Sequence, residues 1–369
     1  MKQLATLAKT YGDFYAPSYA VRLGRDDVMR DLLIPVSQVE VDLKLAAASV
    51  FSFTVTNCYD HALQIFRTGR GGDVLSLLKF GTEVEICMGY GDARSTPTAV
   101  CGVIKEISTS FPEGGSPELT ISGMDHAYML TLGTISRTWT DALDSDAVRY
   151  IASHNNLGAA VQSTEVLNAQ LEQNNLSDWA FLKKLADRNH FEFYVDEKKK
   201  LHFAPPNDNA TAVVELIYGQ GLLSFKPTAN LAGQVSEVEL FGWNPSTKKP
   251  IIGRASAGEE SGRTGKSGGQ FLAEFVRDSD KKPTLRLRQP VFTQAEANRR
   301  AKAVLNECAK QFVTGEGEAI GLPEIRPDRN VKLSKLGKFF SKTYYIQQAT
   351  HKIDANGYRT RFNVKETGL

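Results

Sequence analysis

The sequence predicts an α+β fold that is mainly β: two copies of one antiparallel β module, with mixed α/β insertions. Three observations carry this. The first third is a series of short runs with period-two alternation, separated by turn signals. The middle of the chain changes to helical periodicity. Two distant stretches, Phe80 to Gly123 and Arg326 to Glu366, also share one order: polar turn, strand, short gap, second strand, Gly-containing turn and a third, alternating strand. A meander of this kind has edges to protect, either by closing as a barrel or by pairing with other chains.

In chain order, strands are expected at Tyr19 to Leu23, Ser37 to Leu45, Phe51 to Thr56, Thr82 to Tyr90, Ala99 to Ser108 and Glu118 to Ser122. Gly91-Asp92 and Pro112-Glu113-Gly114-Gly115 read as turns, and Phe66 to Asp73 as a loop. Ser145 is placed to cap a helix carrying Ala147, Val148, Ile151 and Ala152. Ser177 caps a second, with Trp179, Leu182, Leu185 and Ala186 on one stripe. A hairpin follows, Phe191 to Val195 and Leu201 to Ala204, and Lys198-Lys199-Lys200 reads as its solvated tip. Strand character returns at Ala212 to Ile217 and Val235 to Trp243. Thr293 and Glu296 form a capping box ahead of the apolar stripe Ala297, Ala301, Val304, Leu305, Cys308 and Phe312. Asn330 to Ser334, Tyr344 to Lys352 and Thr360 to Glu366 close the chain as strands. The expected division is a first module at 1–135, a helix-hairpin insert at 136–210, the start of a second module at 211–256, a flexible loop plus helical insert at 257–319, and the end of the second module at 320–369.

Composition narrows the function. The 369 residues carry a net charge of +2, which gives no case for specific nucleic-acid binding. No apolar run approaches the roughly 20 residues of a membrane helix, and the N-terminus does not read as a signal peptide. Cys58, Cys87, Cys101 and Cys308 are scattered, without a Cys-x-x-Cys pair, so neither a zinc site nor a disulfide framework is expected, as in a protein folded in a reducing cytoplasm.

The stretch SAGEESGRTGKSGG, Ser256 to Gly269, ends in the Gly-Lys-Ser of a phosphate-binding loop. A P-loop needs glycine where this chain has Glu260, and it needs a helix directly afterwards, where Gly268-Gly269 are poor helix formers. A flexible, solvated loop is expected, mobile from Gly253 to Gly269. Of the histidines, His61, His126, His154, His190, His202 and His351, none has metal-ligand spacing. Asp125-His126 is an adjacent pair at a strand end, and His190 and His202 flank the hairpin as two ligands without a third. Glu259-Glu260 sit in the flexible loop, where a hydrolase could not hold them. Trp139, Trp179 and Trp243 read as anchors of separate cores or interfaces. No catalytic residue, cofactor or metal is expected, so the chain reads as a non-enzyme.

Several segments carry a resemblance. GYG, then CGVIKEIS, then FPEGGSPELTISGMD, between Phe80 and Asp125, look like the first barrel of the phage late control protein D family. Gly321-Leu322-Pro323-Glu324-Ile325-Arg326-Pro327, Tyr344-Tyr345-Ile346, His351 and Gly357 to Phe362 resemble its last barrel strands. Asn175 to Leu182 resembles the helix opening its insert domain. These are baseplate hub proteins of contractile tails, similar to the N-terminal half of type VI secretion spike proteins. Asp328 and Ser341 depart from the glycines of many relatives.

The resemblance implies two barrels per chain and a homotrimer forming a pseudo-sixfold ring. Its partners would be a hexameric tail tube, a separate spike protein and other baseplate proteins. It implies a virion or injection-particle component made in the host bacterial cytoplasm, without membrane insertion of its own. It also implies that Val364, Lys365, Glu366, Thr367, Gly368 and Leu369 form an exposed end facing the spike. A tail-associated cell-wall hydrolase is the alternative, and a receptor-binding tail protein a weaker third.

Overall fold

A computed structural model describes residues 1–244, 247–261, 265–277, 283–291 and 293–369. Its first half contains β1 (Pro17–Leu23), β2 (Val36–Lys44), β3 (Val50–Val55), β4 (Glu83–Tyr90), β5 (Thr98–Ser110) and β6 (Glu118–Asp125). They lie side by side in the order β1-β4-β5-β6-β3-β2. Alternation puts Val39 and Val41 of β2, Phe51 and Phe53 of β3, and Leu119 and Ile121 of β6 into one core.

The insert follows: β7 (Ile135–Leu143), α1 (Asp144–His154), β8 (Gly158–Val161), β9 (Leu167–Leu176), α2 (Asp178–Asn189), β10 (Glu192–Val195) and β11 (Lys200–Ala204). β7 pairs with β9, and β11 lies between β8 and β10. Ser177 caps α2 by accepting from the Ala180 N–H at 3.1 Å. Ser145 does not cap α1. The helix starts one residue earlier, and the Leu143 N–H donates to the Asp146 carboxylate at 3.0 Å. Nor is the lysine tip wholly solvated, because Lys199 Nζ reaches Glu83 of β4 at 2.6 Å.

The second half contains β12 (Val214–Tyr218), β13 (Gly221–Ala229), β14 (Glu237–Asn244), β15 (Lys249–Ser256), α3 (Gly268–Phe275), β16 (Thr284–Arg288), α4 (Gln294–Ala309), β17 (Val313–Ile320), β18 (Asn330–Ser334), β19 (Thr343–Asp354) and β20 (Gly357–Glu366). Six of these strands run in the order β12-β18-β19-β20-β17-β13, and β13 meets β12 at Ile217↔Gly221, which closes a barrel. In chain order this is the strand sequence of the first half.

The irregularities match as well. Lys105 is bulged out of the β5–β6 ladder, and Gln347 out of β19–β20. Ser37 is bulged out of β2–β3, and Leu223 out of β13–β17. One difference is that β1 runs antiparallel to β4, whereas β12 runs parallel to β18.

Two expectations about the second half need correction. The strands at 237–256 do not open the barrel: β14, β15 and β16 form their own sheet, against which α4 packs Ala297, Ala301 and Leu305. The barrel instead uses β17, in a segment expected to be loop and helix. Its Gly315 and Gly317 look unlike strand residues. They are required because a Cβ would lie 2.5 Å from the Phe225 ring at Gly315 and 2.4 Å from the Phe362 ring at Gly317.

Candidate functional site

The halves are joined by strand pairing. β19 changes partner along its length: Thr343–Tyr345 pair with β18, and Gln348–Ile353 pair antiparallel with Val39–Lys44 of β2. The bulges fix which residues correspond. Gln347 aligns with Lys105, so Gln348–Lys352 of β19 match Glu106–Ser110 of β5. Leu223 aligns with Ser37, so Glu40–Lys44 of β2 match Lys226–Asn230 of β13. Yet the equivalent pairing is missing. Among the described residues, Lys105–Ser110 has β6 on one side and no strand on the other, and Ser224–Ala229 has only β17. Glu106, Ser108, Thr109, Lys226, Thr228 and Ala229 are exposed. One chain therefore carries one made joint and the two halves of a second, unmade one.

The made joint is sealed by a buried polar network. His351 Nε2 lies 2.9 Å from the Ile325 carbonyl, which can only accept, so Nε2 carries the proton. Nδ1 then accepts from Tyr358 Oη at 2.9 Å. Burial, aided by the Arg326 charge, lowers the His351 pKa to about 3 and keeps the ring neutral. Tyr90 of the first half donates to the Gly321 carbonyl at 2.8 Å, and Arg326 reaches Glu197 of the insert at 2.9 Å. The Gly321–Pro327 segment singled out in the sequence is thus the seam where both halves and the insert meet. The cleft beside it holds about 210 Å³, below the roughly 300–1,000 Å³ of ligand pockets.

The C-terminal residues are not an exposed end. Val364, Glu366 and Thr367 are buried, and Gly368 bridges to Ser267. The Lys266 N–H donates to the Leu369 carbonyl at 2.8 Å, and the Leu369 N–H returns a bond at 2.9 Å. Lys342 Nζ donates to the Gly368 carbonyl at 2.7 Å, and burial lowers the pKa of Lys365.

The same contacts correct the loop reading. Ser267 accepts from the Gln270 N–H and caps α3, so a helix does follow Gly-Lys-Ser. Gly268 and Gly269 start it because a Cβ would lie 2.4 Å from the Gln234 side chain at Gly268 and 2.3 Å from the Val235 carbonyl at Gly269. Gly253 lies within β15, and Glu260 is buried with its carboxylate accepting from the Gly258 N–H. Of the expected mobile stretch, residues 262–264 lie outside the described residues.

The other singled-out side chains fall into place. Trp139 stacks on Phe181 and Trp179 packs on Phe193, whereas Trp243 is exposed. His202 stacks on Tyr194 and contacts Asp196 at 2.8 Å, and His190 sits at the C-terminal cap of α2. Asp125 is buried, accepts from the Ser49 and Ala127 N–H groups, and is pushed up to about 6 by burial.

Its neighbour His126 is the exception. Nε2 of His126 lies 3.7 Å from Cys101 Sγ and 3.6 Å from the Glu83 carboxylate, and Cys101 Sγ lies 3.7 Å from the other Glu83 oxygen. Burial, with the Glu83 charge, pushes the Cys101 thiol up to about 12. Burial, followed by the Lys199 charge, lowers the His126 pKa. No linear motif reveals this trio. It arises because Glu85 faces Cys101 across β4–β5 and Gly102 faces Asp125 across β5–β6.

The fold is that of phage tail proteins. A tail protein from Neisseria meningitidis MC58 superposes with a TM-score of 0.67 at 13% identity, covering 95% of this chain and 97% of that one. The 43 kDa tail protein of prophage MuSo2 from Shewanella oneidensis gives 0.69 at 12%, over 95% and 99%. The E. coli c3393 protein, described as a component of the type VI secretion system, gives 0.53 at 9%, over 91% and 75%. At such identities the likeness shows the fold alone. A family model described as the Alg8 N-terminal domain matches residues 72–355, and the chain belongs to that family. No curated protein sequence matches.

Proposed function

We propose that the chain is a structural hub of a contractile tail or injection particle, of the late control protein D kind, assembling as a homotrimer between a hexameric tube and a central spike. The unmade joint carries this reading. If β5 of one chain pairs with β13 of the next as β19 pairs with β2 within a chain, three chains supply three internal and three intermolecular joints. Six similar modules then close a ring, which is what a threefold object needs to mate with a sixfold tube. The transferred register sets Glu106 against Asn230, Ile107 against Ala229 and Ser108 against Thr228. Pro227 lacks an N–H, and proline on an edge strand discourages indiscriminate pairing.

Function would then lie in shape and symmetry, with no enzymatic step, and the particle would carry the protein outside the cell that made it. The tail folds of the structural neighbours support this reading, as does the seam, whose one buried histidine is neutral and committed to structural bonds. Because the C-terminal residues are clamped by Lys266 and Lys342, a spike would meet a preformed edge. Light scattering tests the proposal. The chain, 40.6 kDa alone, should behave as a trimer, and Ile107→Pro on the free edge should give a folded monomer. A wild-type chain that stays monomeric at high concentration contradicts it.

A further inference from the structure

Glu83, Cys101 and His126 come from the start of β4, the middle of β5 and the residue after β6, three neighbouring strands of the first half. Nε2 of His126 lies 3.6 Å from one Glu83 oxygen, Sγ of Cys101 lies 3.7 Å from that Nε2 and 3.7 Å from the other Glu83 oxygen, and one donor atom from each of the three residues lies within 4.8 Å of the others. A tetrahedral zinc ion with bonds of about 2.3 Å to sulfur, 2.0–2.1 Å to nitrogen and 2.0–2.2 Å to oxygen holds such donors roughly 3.4–3.6 Å apart. The 3.7 Å from Sγ to Nε2 and the 3.6 Å from Nε2 to its Glu83 oxygen stand within a few tenths of an ångström of those values. Chemically, thiolate, imidazole and carboxylate form a mixed set suited to zinc rather than to magnesium or calcium.

We propose that these three side chains form a zinc-binding site, with a fourth position on the side of the exposed Glu83 left for water. A cysteine–histidine nucleophile pair fits less well. There the carboxylate orients the imidazole through the ring nitrogen that does not meet the thiol, but here the thiol and the carboxylate both converge on Nε2. The sulfur is buried and the imidazole nearly so, whereas Glu83 is about half exposed and gives the ion an entry path. On binding, Cys101 releases its thiol proton to solvent and the thiolate takes the metal. The Lys199 ammonium, 2.6 Å from the Glu83 oxygen that faces His126, already supplies positive charge there and competes with the ion. Zinc would therefore tie β4, β5 and the end of β6 together while loosening the hairpin tip of the insert from the first half.

The experiment uses the full chain, stripped with a chelator and titrated with cobalt(II), then zinc. One cobalt per chain should bind, giving a thiolate-to-cobalt charge-transfer band and the intense visible bands of four-coordination, and zinc should displace it. Cys101→Ser should abolish the charge-transfer band, while Cys58→Ser leaves it intact. Glu83→Gln, an exposed and isosteric change, should weaken binding at least roughly tenfold, and Lys199→Ala should tighten it. A wild-type chain with no thiolate band, or a band that survives Cys101→Ser, overturns the proposal. So does a band whose affinity is unmoved by both Glu83→Gln and Lys199→Ala, since the carboxylate would then not be a ligand.

Discussion

The two halves share strand order and bulge positions but close differently. In the second half, β13 returns to β12 and the barrel is complete. In the first half, no backbone pairing joins β1 to β2 among the described residues, and Tyr19 Oη donates across that gap to the Val36 carbonyl at 2.6 Å. The halves also fill their cores in opposite ways. One row across the first sheet reads Val39, Phe53, Ile121; the matching row of the barrel reads Phe225, Gly317, Phe362. A large residue between medium ones is exchanged for a glycine between two phenylalanines, one of whose rings, that of Phe362, lies over it. Bulk moves from the centre of the row to its flanks, and cores tolerate such redistribution when the patterning is kept.

The largest effects should come from that row. Phe53→Ala in one half and Phe362→Ala in the other should each destabilise by about 3–5 kcal/mol in denaturant unfolding. Because β2 and β19 merge both halves into one 14-stranded sheet, both variants should shift a single transition. Two separate transitions would mean that the joint does not couple the halves.

Deleting Thr367–Leu369 removes the two backbone bonds to Lys266 and the Lys342 bond. At about 1 kcal/mol each, the barrel should lose roughly 2–3 kcal/mol. Hydrogen exchange should rise at Lys266 and Ser267 and stay unchanged in β1 to β6.

The joint should also be pH-sensitive where the free edge is not. His351 titrates near pH 3 when folded and near 6.5 when unfolded. Between those values the unfolded chain binds a proton that the folded chain does not. This contribution is therefore full above pH 6.5 and is lost as pH falls, by up to about 1.4 kcal/mol per pH unit. His351→Gln should flatten that part of the stability–pH curve. The matching residue on β5 is the exposed Thr109, so Thr109→Gln should leave the slope as it is. The smallest effect belongs to Tyr19→Phe, which should remove about 1 kcal/mol from the first half and leave hydrogen exchange in β17 to β20 unchanged.

What the sequence disclosed follows from what is local. Alternation marked β2, β3 and β19, and the caps Ser177 and Thr293 marked α2 and α4. The repeat between Phe80–Gly123 and Arg326–Glu366 corresponds to strands occupying equivalent places. Non-local demands hid the rest. Gly315 and Gly317 disguised β17, since their reason is a ring on another strand. Gly268 and Gly269 disguised α3, since theirs is close approach to Gln234 and Val235. The polar ending Lys365-Glu366-Thr367 read as solvated because the Lys266 and Lys342 partners lie far off in sequence. Glu83, Cys101 and His126 meet only through the β4–β5–β6 register.

The central claim is that the free edges of β5 and β13 make between chains the joint that β19 and β2 make within one. Thr350 Oγ1 and Asp42 Oδ1 touch at 3.0 Å in the made joint; their counterparts in the unmade joint are Ser108 and Thr228. Directly opposed residues lie about 4.5–5.5 Å apart, within disulfide reach. Under mild oxidation, Asp42→Cys/Thr350→Cys should cross-link within a chain and serve as the control. Ser108→Cys/Thr228→Cys should give a covalent species of three chains and nothing larger, as a closed ring requires. If that variant stays single-chained while the control cross-links, or forms a ladder running past three, the ring is contradicted.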